Sequence, residues 1–285
     1  MSAAADVVVA CCQLAPRIGE AEANRARALA AVEAAADDGA QVVVLPELPV
    51  SGYVFADAQE ARRLAEPVDG PTVSGWARIA RERGLVVVGG LCEVDDDGVL
   101  RNSAVLVDAG GVRAVYRKAH LWDREDLVFT PGAEAPPVVE TALGRIAVMV
   151  CYDLEFPEWV RLPALAGADL LCAPVNWPAA PRPAGERPSE VVRAQASAAV
   201  NRMFIAVCGR SGPERGVDWV GGSVIVDADG FPVAGPAGAD EVVTLVARLR
   251  LGEARDKRVS DRNDALGDRR PELYGPVAAV DGGAR

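Results

Sequence analysis

Histidine is almost missing from this 285-residue chain, which contains only His120. A metal centre built from several imidazoles is therefore excluded, and a Ser-His-Asp triad would have to use this one residue. The G-x-S-x-G motif that presents the serine in many such triads does not occur in the sequence. Any chemistry is therefore expected to depend on carboxylates, lysine and cysteine.

Long apolar runs are also lacking. The longest uncharged stretches contain proline or are shorter than the roughly 20 residues that cross a bilayer. The N-terminal stretch MSAAADVVVACCQLAPR has no basic start, so it is interpreted as a first strand and not as a secretion signal. Acidic residues outnumber basic ones by 41 to 30, which opposes binding to nucleic acid or to an anionic membrane. We expect a soluble, cytoplasmic protein with a small-molecule or protein partner.

Cysteine is present but modest in number, at positions 11, 12, 92, 151, 172 and 208. Five of the six lie inside apolar, strand-like runs. A chain of this length without an export signal is not expected to depend on disulfides. Reduced, buried thiols are therefore the first interpretation for all of them.

Short apolar runs alternate with helical patterns along the chain, which predicts an α/β fold. Strands are predicted at 6–14, 41–47, 85–94, 144–153, 168–175, 203–209, 221–230 and 241–249, and a hairpin at 103–118. Helices are predicted at 24–38, 71–84, 157–166 and 189–202, with Gly39 and Ser189 as candidate caps. Without a repeat or a clear linker, residues 1–285 are predicted to form a single domain. The polar tail, about 255–285, is expected to pack on the body or on a partner subunit.

Reactive side chains follow three of the predicted strands, where ligands of sheet-based folds collect. They are Glu47 in VVVLPELPVSGY, Lys118 and Glu125 in VYRKAHLWDREDLVFTPG, and Cys151 in VMVCYD. Each has an ordinary structural explanation when taken alone. Glu47 could cap a helix or form a salt bridge, Lys118 could be a solvated strand end, and Cys151 could be a core thiol.

Taken together, these groups supply the parts of acyl transfer through a thioester. A thiol needs a base to become a thiolate at neutral pH, and a buried glutamate of raised pKa can replace the scarce histidine. A lysine ammonium would stabilise the thiolate and later an oxyanion. Backbone N–H groups in the turn between a strand and a helix could serve the same oxyanion.

The three segments resemble the nitrilase superfamily of carbon–nitrogen hydrolases. That family carries Glu in a PE…GY context, Lys in K-x-H-L and Cys in C-Y-D-x-x-F-P-E; here they stand as PELPVSGY, KAHLWD and CYDLEFPE. The stretches FTPG and RRPELYG are similar too, so the resemblance covers nearly the whole chain in order. It implies an αββα sandwich, with two central mixed β-sheets covered by helices. A homodimer or a higher even-numbered homo-oligomer is implied as well.

Carried over residue by residue, the resemblance implies that Glu47 is the general base, Lys118 the oxyanion-stabilising cation and Cys151 the nucleophile. Glu125 matches the place of the family's second glutamate, a few residues before the PG of the lysine segment. The backbone N–H of Tyr152 would complete the oxyanion hole. No metal or organic cofactor is implied.

His120 lies two residues after the lysine of this pattern. A Cys-His dyad is one interpretation, and a hydrogen-bonded structural residue is the favoured one. Asp123 and Asp126 are neighbours of Glu125 and could be mistaken for the second glutamate's equivalent. Ion pairs that shape the turn after Cys151 are expected for the charged residues that follow it: Asp153, Glu155, Glu158 and Arg161.

The expected reaction is hydrolysis of a small primary aliphatic amide to a carboxylic acid and ammonia. Hydrolysis of an N-carbamoyl amino acid is the alternative, and nitrile hydrolysis is third because true nitrilases tend to be longer. A catalytically silent binding or assembly module is the non-enzyme alternative. Substrate contacts are predicted for Tyr53, Asn176 and Trp177. The pocket walls are expected from three places: residues 53–55, Asn176 and Trp177 with the proline-rich loop after them, and the residues near Trp122 and Trp219. The arginines that could pair with a substrate carboxylate are Arg182, Arg187 and Arg210.

Overall fold

Two six-stranded mixed β-sheets form the centre of the molecule in the computed structural model, which describes residues 6–278. The first has the strand order β12-β1-β2-β3-β4-β5, and the second β11-β10-β9-β8-β7-β6. The first sheet contains β1 (Val7–Gln13), β2 (Val42–Val44), β3 (Val86–Val94), β4 (Leu100–Asp108), β5 (Gly111–Arg117) and β12 (Val243–Leu249). The second contains β6 (Val138–Thr141), β7 (Gly144–Val148), β8 (Leu170–Pro174), β9 (Phe204–Cys208), β10 (Val224–Val226) and β11 (Pro232–Ala234). The central pairs β1–β2–β3 and β7–β8–β9 are parallel.

Helices cover the outer face of each sheet. The helices of the described residues are α1 (Ala21–Asp37), α2 (Ala58–Leu64), α3 (Pro71–Arg83), α4 (Pro157–Leu165), α5 (Ser189–Asn201) and α6 (Gly275–Ala278), and a small ribbon pairs β13 (Arg258–Ser260) with β14 (Asn263–Asp264). Helices α1 and α3 pack on the first sheet, and α4 and α5 on the second. None of the helices in residues 6–278 is both long and apolar enough to cross a membrane.

Strand β1 shows why the apolar runs are nearly continuous. Its odd-numbered residues Val7, Val9 and Cys11 pack between the two sheets, whereas Val8 and Ala10 pack against the helices of the first sheet. Side chains alternate across a strand, so a strand buried on both faces needs apolar residues at every position. The predicted αββα sandwich of two mixed sheets is confirmed.

Several predicted element boundaries were wrong. The strand predicted at 144–153 ends at Val148, because Cys151 begins a 3-10 turn, Cys151–Glu155, in a left-handed conformation. The strand predicted at 41–47 pairs only over Val42–Val44; Pro46, which has no N–H, cannot continue the ladder. Ser189 is the first residue of its helix and not its cap; Pro188 holds the cap position. Helix α2 and strand β6 were missed.

The C-terminal tail contacts the body through its first residues. Arg255 donates to both oxygens of Asp169 at 3.0 and 2.8 Å, and Lys257 Nζ donates to the backbone oxygens of Asn201 and Arg202. Residues 279–285 of the predicted tail lie outside the described residues.

Candidate active site

Four side chains from different strand ends meet between the sheets. Glu47 follows β2, Lys118 directly follows β5, Glu125 lies in the 3-10 turn Asp123–Leu127, and Cys151 follows β7. Lys118 Nζ lies 2.9 Å from Glu47 Oε1 and 2.8 Å from Glu125 Oε2. All four residues are buried. The structure therefore brings together the residues that the sequence singled out, and we refer to Glu47, Lys118, Glu125 and Cys151 as the tetrad.

Asn102 is a fifth polar member of the site that sequence reasoning missed. Its side-chain amide donates to Glu47 Oε1 at 2.7 Å and to Glu125 Oε1 at 2.9 Å. It lies on β4, beside Lys118, whose backbone N–H donates to its carbonyl. In the sequence Asn102 is only the polar residue that begins the apolar run NSAVLV. That position does not indicate that its side chain contacts Glu47 or Glu125. Asn102 and Lys118 together hold the two carboxylates in place.

Cys151 sits at a sharp turn. Its φ of +47° is a conformation that L-residues other than glycine rarely adopt, and such strain persists only where surrounding structure fixes it. The sulfur lies 3.6 Å from the backbone oxygen of Asn176, and Asn176 Nδ2 donates to the backbone oxygen of Glu47 at 2.8 Å. Asn176 therefore connects the thiol to the segment that carries Glu47.

Asp153 fixes the turn after Cys151. Its Oδ1 accepts from the backbone N–H of His120 at 3.0 Å and lies 2.7 Å from His120 Nδ1, and its Oδ2 accepts from the Tyr116 hydroxyl at 2.8 Å. The His120 ring also stacks on Phe156, with centroids 3.8 Å apart. His120 is thus a hydrogen-bonded structural residue, as favoured above. It ties the lysine segment to the cysteine turn.

Burial and neighbouring charges act in opposite directions on the pKa values of the tetrad, and three of these pKa values are raised as a result. Burial raises the pKa of Glu47 to about 7, against the opposing effect of Lys118. Burial alone would lower the pKa of Lys118, but the charges of Glu125 and Glu47 outweigh it and keep that pKa well above its usual range. Burial and the charge of Glu47 raise the pKa of the Cys151 thiol well above 9.0. The resting site therefore pairs a protonated thiol with a carboxylate that titrates near neutrality.

A cavity of about 400 Å³ adjoins the tetrad, and Glu125 belongs to its lining. Its walls are mainly apolar and come from three segments: residues 53–58, residues 122–129, and Pro178 with Val217 and Trp219. Tyr53 packs edge to face on Trp219, with ring centroids 5.3 Å apart. We call this space the acyl cavity. It is about the size of a small organic ligand.

The predicted substrate contacts have different outcomes. Tyr53 lines the acyl cavity, and Asn176 lies at the tetrad through its bonds to Cys151 and Glu47. Trp177 packs instead within the core, against Gly222 and Val220, and does not line the acyl cavity. The backbone N–H of Val220 donates to the carbonyl oxygen of Trp177 at 2.9 Å. Trp122 and Trp219, near which pocket walls were also predicted, both line the acyl cavity.

The three candidate arginines do not present free cations to the acyl cavity. Arg182 and Arg187 line a separate surface hollow within the loop before α5. Arg210 is buried and paired with Glu214. Of the other predicted ion pairs, Glu155 bonds to Arg193, whereas Arg161 donates to the backbone oxygen of Val200.

An αββα fold with a cysteine, a lysine and two glutamates buried at its strand ends has the arrangement of a thiol-dependent hydrolase of carbon–nitrogen bonds. The model of the carbon-nitrogen hydrolase family matches residues 8–259, and the chain belongs to that family. It is 36% identical over 271 residues to a nitrilase from Pyrococcus abyssi, covering 94% of this chain and 99% of that protein. It is also 36% identical over 264 residues to an (R)-stereoselective amidase from Pseudomonas sp., covering 92% and 91%.

Solved structures of an amidase from Nesterenkonia sp. are similar over almost the whole fold. One has a TM-score of 0.80 at 32% identity and covers 95% of this chain and 96% of its own. Another, a variant at 30% identity and a TM-score of 0.79, carries the acetamide moiety of fluoroacetamide covalently added at its active-site cysteine. Carbon–nitrogen hydrolases of this fold therefore include an amidase whose cysteine forms covalent adducts.

Proposed function

We propose that this protein hydrolyses small primary aliphatic amides to carboxylic acids and ammonia through a thioester on Cys151. The observation that carries the proposal is the buried Lys118 ammonium between two carboxylates, beside a thiol at a strained turn. A buried charge is costly unless it is paired, and such clusters are typical of active sites. The amidase structures that resemble this chain support the same reaction class.

In the first half-reaction, Glu47 acts as the general base. Its Oε2 has no hydrogen-bond partner within the described part of the chain and is free to take the thiol proton. The thiolate attacks the amide carbon, and charge develops on the carbonyl oxygen. Lys118 and the backbone N–H of Tyr152 stabilise that oxyanion. The first hydrogen bond inside the 3-10 turn is donated by the backbone N–H of Asp153. The Tyr152 N–H comes one residue earlier and is therefore not used by the hydrogen bonds of the turn.

The proton on Glu47 then passes to the leaving nitrogen, the C–N bond breaks and ammonia departs, which leaves the thioester on Cys151. In the second half-reaction, Glu47, again a carboxylate, takes a proton from a water that attacks the thioester carbon. Glu125 positions this water and the substrate amide, because its carboxylate is fixed by Lys118, Asn102 and the backbone N–H of Trp122. The carboxylic acid leaves and the Cys151 thiol is restored.

The acyl cavity favours an uncharged substrate over an N-carbamoyl amino acid. Within its lining the only cation is Arg124, which is exposed and follows Asp123. A substrate carboxylate would therefore lack a buried, bidentate partner. An N-carbamoylputrescine amidase from Solanum lycopersicum is 31% identical to this chain, so carbamoyl compounds form the second arm of the test.

Ammonia release from a panel of short amides, carbamoyl amino acids and nitriles tests the substrate. We expect turnover of acetamide to butyramide and little release from carbamoyl amino acids. Exclusive turnover of a carbamoyl compound or a nitrile would replace the primary amide as substrate. Cys151→Ala should lower kcat/KM by roughly 10⁴-fold or more, as loss of a nucleophile does, with the circular dichroism spectrum retained.

Thiol trapping separates an enzyme from a catalytically silent binding module. Burial alone would leave all six thiols inert, and all six are free and buried. An active site should direct iodoacetamide to Cys151, since Glu47 can accept its proton. Single-site modification at Cys151, located by mass spectrometry, supports the enzyme. Equal inertness of the six thiols supports the binding module.

We also propose a homodimer and a cytoplasmic location. Leu162 and Leu165 on α4 and Val192 and Val200 on α5 are apolar and exposed, which supports a second copy on this face. The six free cysteines are compatible with a reducing compartment.

A further inference from the structure

Arg210 and Glu214 form a buried ion pair that the reaction above does not use. Arg210 Nη1 donates to Glu214 Oε1, and the side chains are 1% and 3% exposed. Arg210 Nη2 donates to the backbone oxygen of Pro16 at 2.8 Å. Burying both charges is costly, so the pair is not explained by stability alone.

The second oxygen of Glu214 holds one wall of the acyl cavity. Oε2 accepts from the backbone N–H of Tyr53 at 2.8 Å and from that of Val54 at 2.7 Å. At Gly52 the backbone passes close to both Glu214 and Ile18. A Cβ on Gly52 would lie 3.1 Å from Glu214 Oε1 and 2.8 Å from Ile18. The position of Tyr53 at the tetrad is thus set through this carboxylate.

The same pair holds the adjoining part of this wall, where the Trp219 ring packs against Tyr53. The Arg210 guanidinium carbon lies 5.0 Å from the centroid of the Trp219 ring, in cation–π geometry. Glu214 and Val217 exchange backbone hydrogen bonds at 3.0 Å, which closes the turn that leads to Trp219. Tyr53, Val217 and Trp219 all line the acyl cavity.

We propose that Arg210 and Glu214 are positioning residues that fix the wall of the acyl cavity formed by Tyr53 and Trp219 and so determine which acyl chains are accepted. The proposal rests on the amidase function proposed above. The two residues of this wall belong to segments more than 150 residues apart, and the Glu214 carboxylate and the Arg210 guanidinium hold them together. A change in the pair should therefore alter discrimination by chain length, while the tetrad keeps its own contacts.

Glu214→Gln is the principal test. The amide can still accept from the backbone N–H groups of Tyr53 and Val54, but its NH₂ then faces Arg210, and the wall must shift. We expect the ratio of kcat/KM for butyramide to kcat/KM for hexanamide to change by about tenfold. A change of this size corresponds to the gain or loss of room for roughly one methylene group in an apolar pocket. The change should lie in KM more than in kcat.

Glu66→Gln is the matched control. Glu66 is also buried and paired, with Arg25 at 2.9 Å, and it accepts from Thr72, but none of these residues lines the acyl cavity. This variant should lose stability and keep the butyramide-to-hexanamide ratio. Equal changes of the ratio in both variants, or no change in Glu214→Gln, would overturn the proposal.

A readout without turnover keeps the proposal separate from the proposed function. The rates at which 2-bromoacetamide and 2-bromohexanamide alkylate Cys151 are compared between wild type and variant by intact mass spectrometry. Their ratio should also change by about tenfold in Glu214→Gln. If wild type turns over no amide but this ratio changes, the amidase assignment fails and the positioning role stands. If the ratio of alkylation rates is the same in Glu214→Gln and wild type, the positioning role of the pair is refuted, whether or not the wild type turns over amides.

Arg210→Met/Glu214→Leu serves if the single variant fails to fold. Apolar replacement of a buried ion pair is often tolerated, because no uncompensated charge stays behind. The backbone N–H groups of Tyr53 and Val54 lose their acceptor, so the same change in the alkylation ratio is expected. A folded double variant with the wild-type ratio would refute the role of the pair.

Discussion

At the scale of single residues, the site depends on Lys118. A lysine buried in an apolar core stays charged only when carboxylates pair with it. Lys118 is surrounded by the carboxylates of Glu47 and Glu125, and each of them gains a second donor from Asn102. The cluster balances a desolvated ammonium against two carboxylates, one of which titrates near neutrality. This balance gives a thiol without a histidine partner a base of suitable strength.

The pH dependence of the reaction should report Glu47. Its pKa is raised to about 7, so lowering the pH through that value protonates the base and removes activity. We expect kcat/KM for a short amide to fall about tenfold per pH unit below the pKa. Samples held at low pH and assayed after return to pH 8 control for unfolding. An acid limb near the ordinary value of 4.5 would contradict this assignment.

Asn102→Ala should move that acid limb to higher pH. The Asn102 amide donates to Glu47 and favours its charged form, so its removal raises the pKa of Glu47 further. A hydrogen bond to a charged group contributes about 1.5–3 kcal/mol, so kcat/KM should fall by roughly ten- to a hundredfold. Asn201→Ala removes an equally buried amide whose one side-chain hydrogen bond within residues 6–278 goes to the backbone oxygen of Ser197. Its acid limb should match wild type; a shared shift in both variants would refute the specific role of Asn102.

At the scale of elements, two tight backbone turns place the reacting groups. Cys151 has a φ of +47° and Leu48, directly after Glu47, a φ of +49°. Each turn ends a buried parallel strand and directs one side chain between the sheets. Close approach of neighbouring backbone is needed as well, and Gly90 on β3 allows it. A Cβ there would lie 2.7 Å from Glu47 Cα and 2.5 Å from the Leu48 nitrogen.

Gly90→Ala should therefore displace Glu47 and lower kcat. Backbone atoms cannot yield as a flexible side chain can, and a shift of about 1 Å in a catalytic group can cost roughly a hundredfold. Gly89→Ala is the control, since its Cβ would meet the Trp76 ring at 2.6 Å on the other face of the strand. Both variants should melt earlier, but only Gly90→Ala should lose kcat when assayed well below its melting temperature. Equal kcat in the two would show that the glycine serves packing alone.

At the scale of the whole molecule, the two sheets carry different halves of the site. Glu47 and Lys118 follow strands of the first sheet, and Cys151 follows a strand of the second. Packing of the sheets brings the thiol to its base, so activity and global stability are expected to be lost together. Helices α4 and α5, on the outside of the second sheet, are the face proposed for the second copy.

Leu165→Glu/Val192→Glu should convert the proposed dimer to a monomer. Both side chains are exposed, at 44% and 49%, and a charge at each would oppose burial against a second copy. Sedimentation velocity at two protein concentrations measures the change. Val112→Glu, equally exposed but on β5 of the other sheet, should leave the assembly intact. If the wild-type protein sediments as a monomer at both concentrations, the proposed dimer is refuted.

The sequence by itself determined the types of reactive group and their places after buried strands. It also determined the layered fold, because runs such as VVVACC are apolar at every position and so require burial on both faces. The ends of strands were less predictable. The strand predicted at 144–153 ends early because Cys151 adopts a left-handed backbone conformation, which a cysteine in the sequence does not indicate. The cap predicted at Ser189 was wrong by one residue, because Pro188 holds that position.

Only the tertiary structure decided which polar residues share the site. Glu47 and Lys118 are 71 residues apart, and Asn102 lies 55 residues from Glu47. Periodicity assigns a side chain to a face of a strand but not to a neighbour on another element. Pocket walls were therefore predicted at both Trp177 and Trp219, and only the structure distinguishes Trp177, which packs in the core, from Trp219, which lines the cavity. The distances between side chains depend on how the two sheets pack, and no single segment of the sequence contains that information.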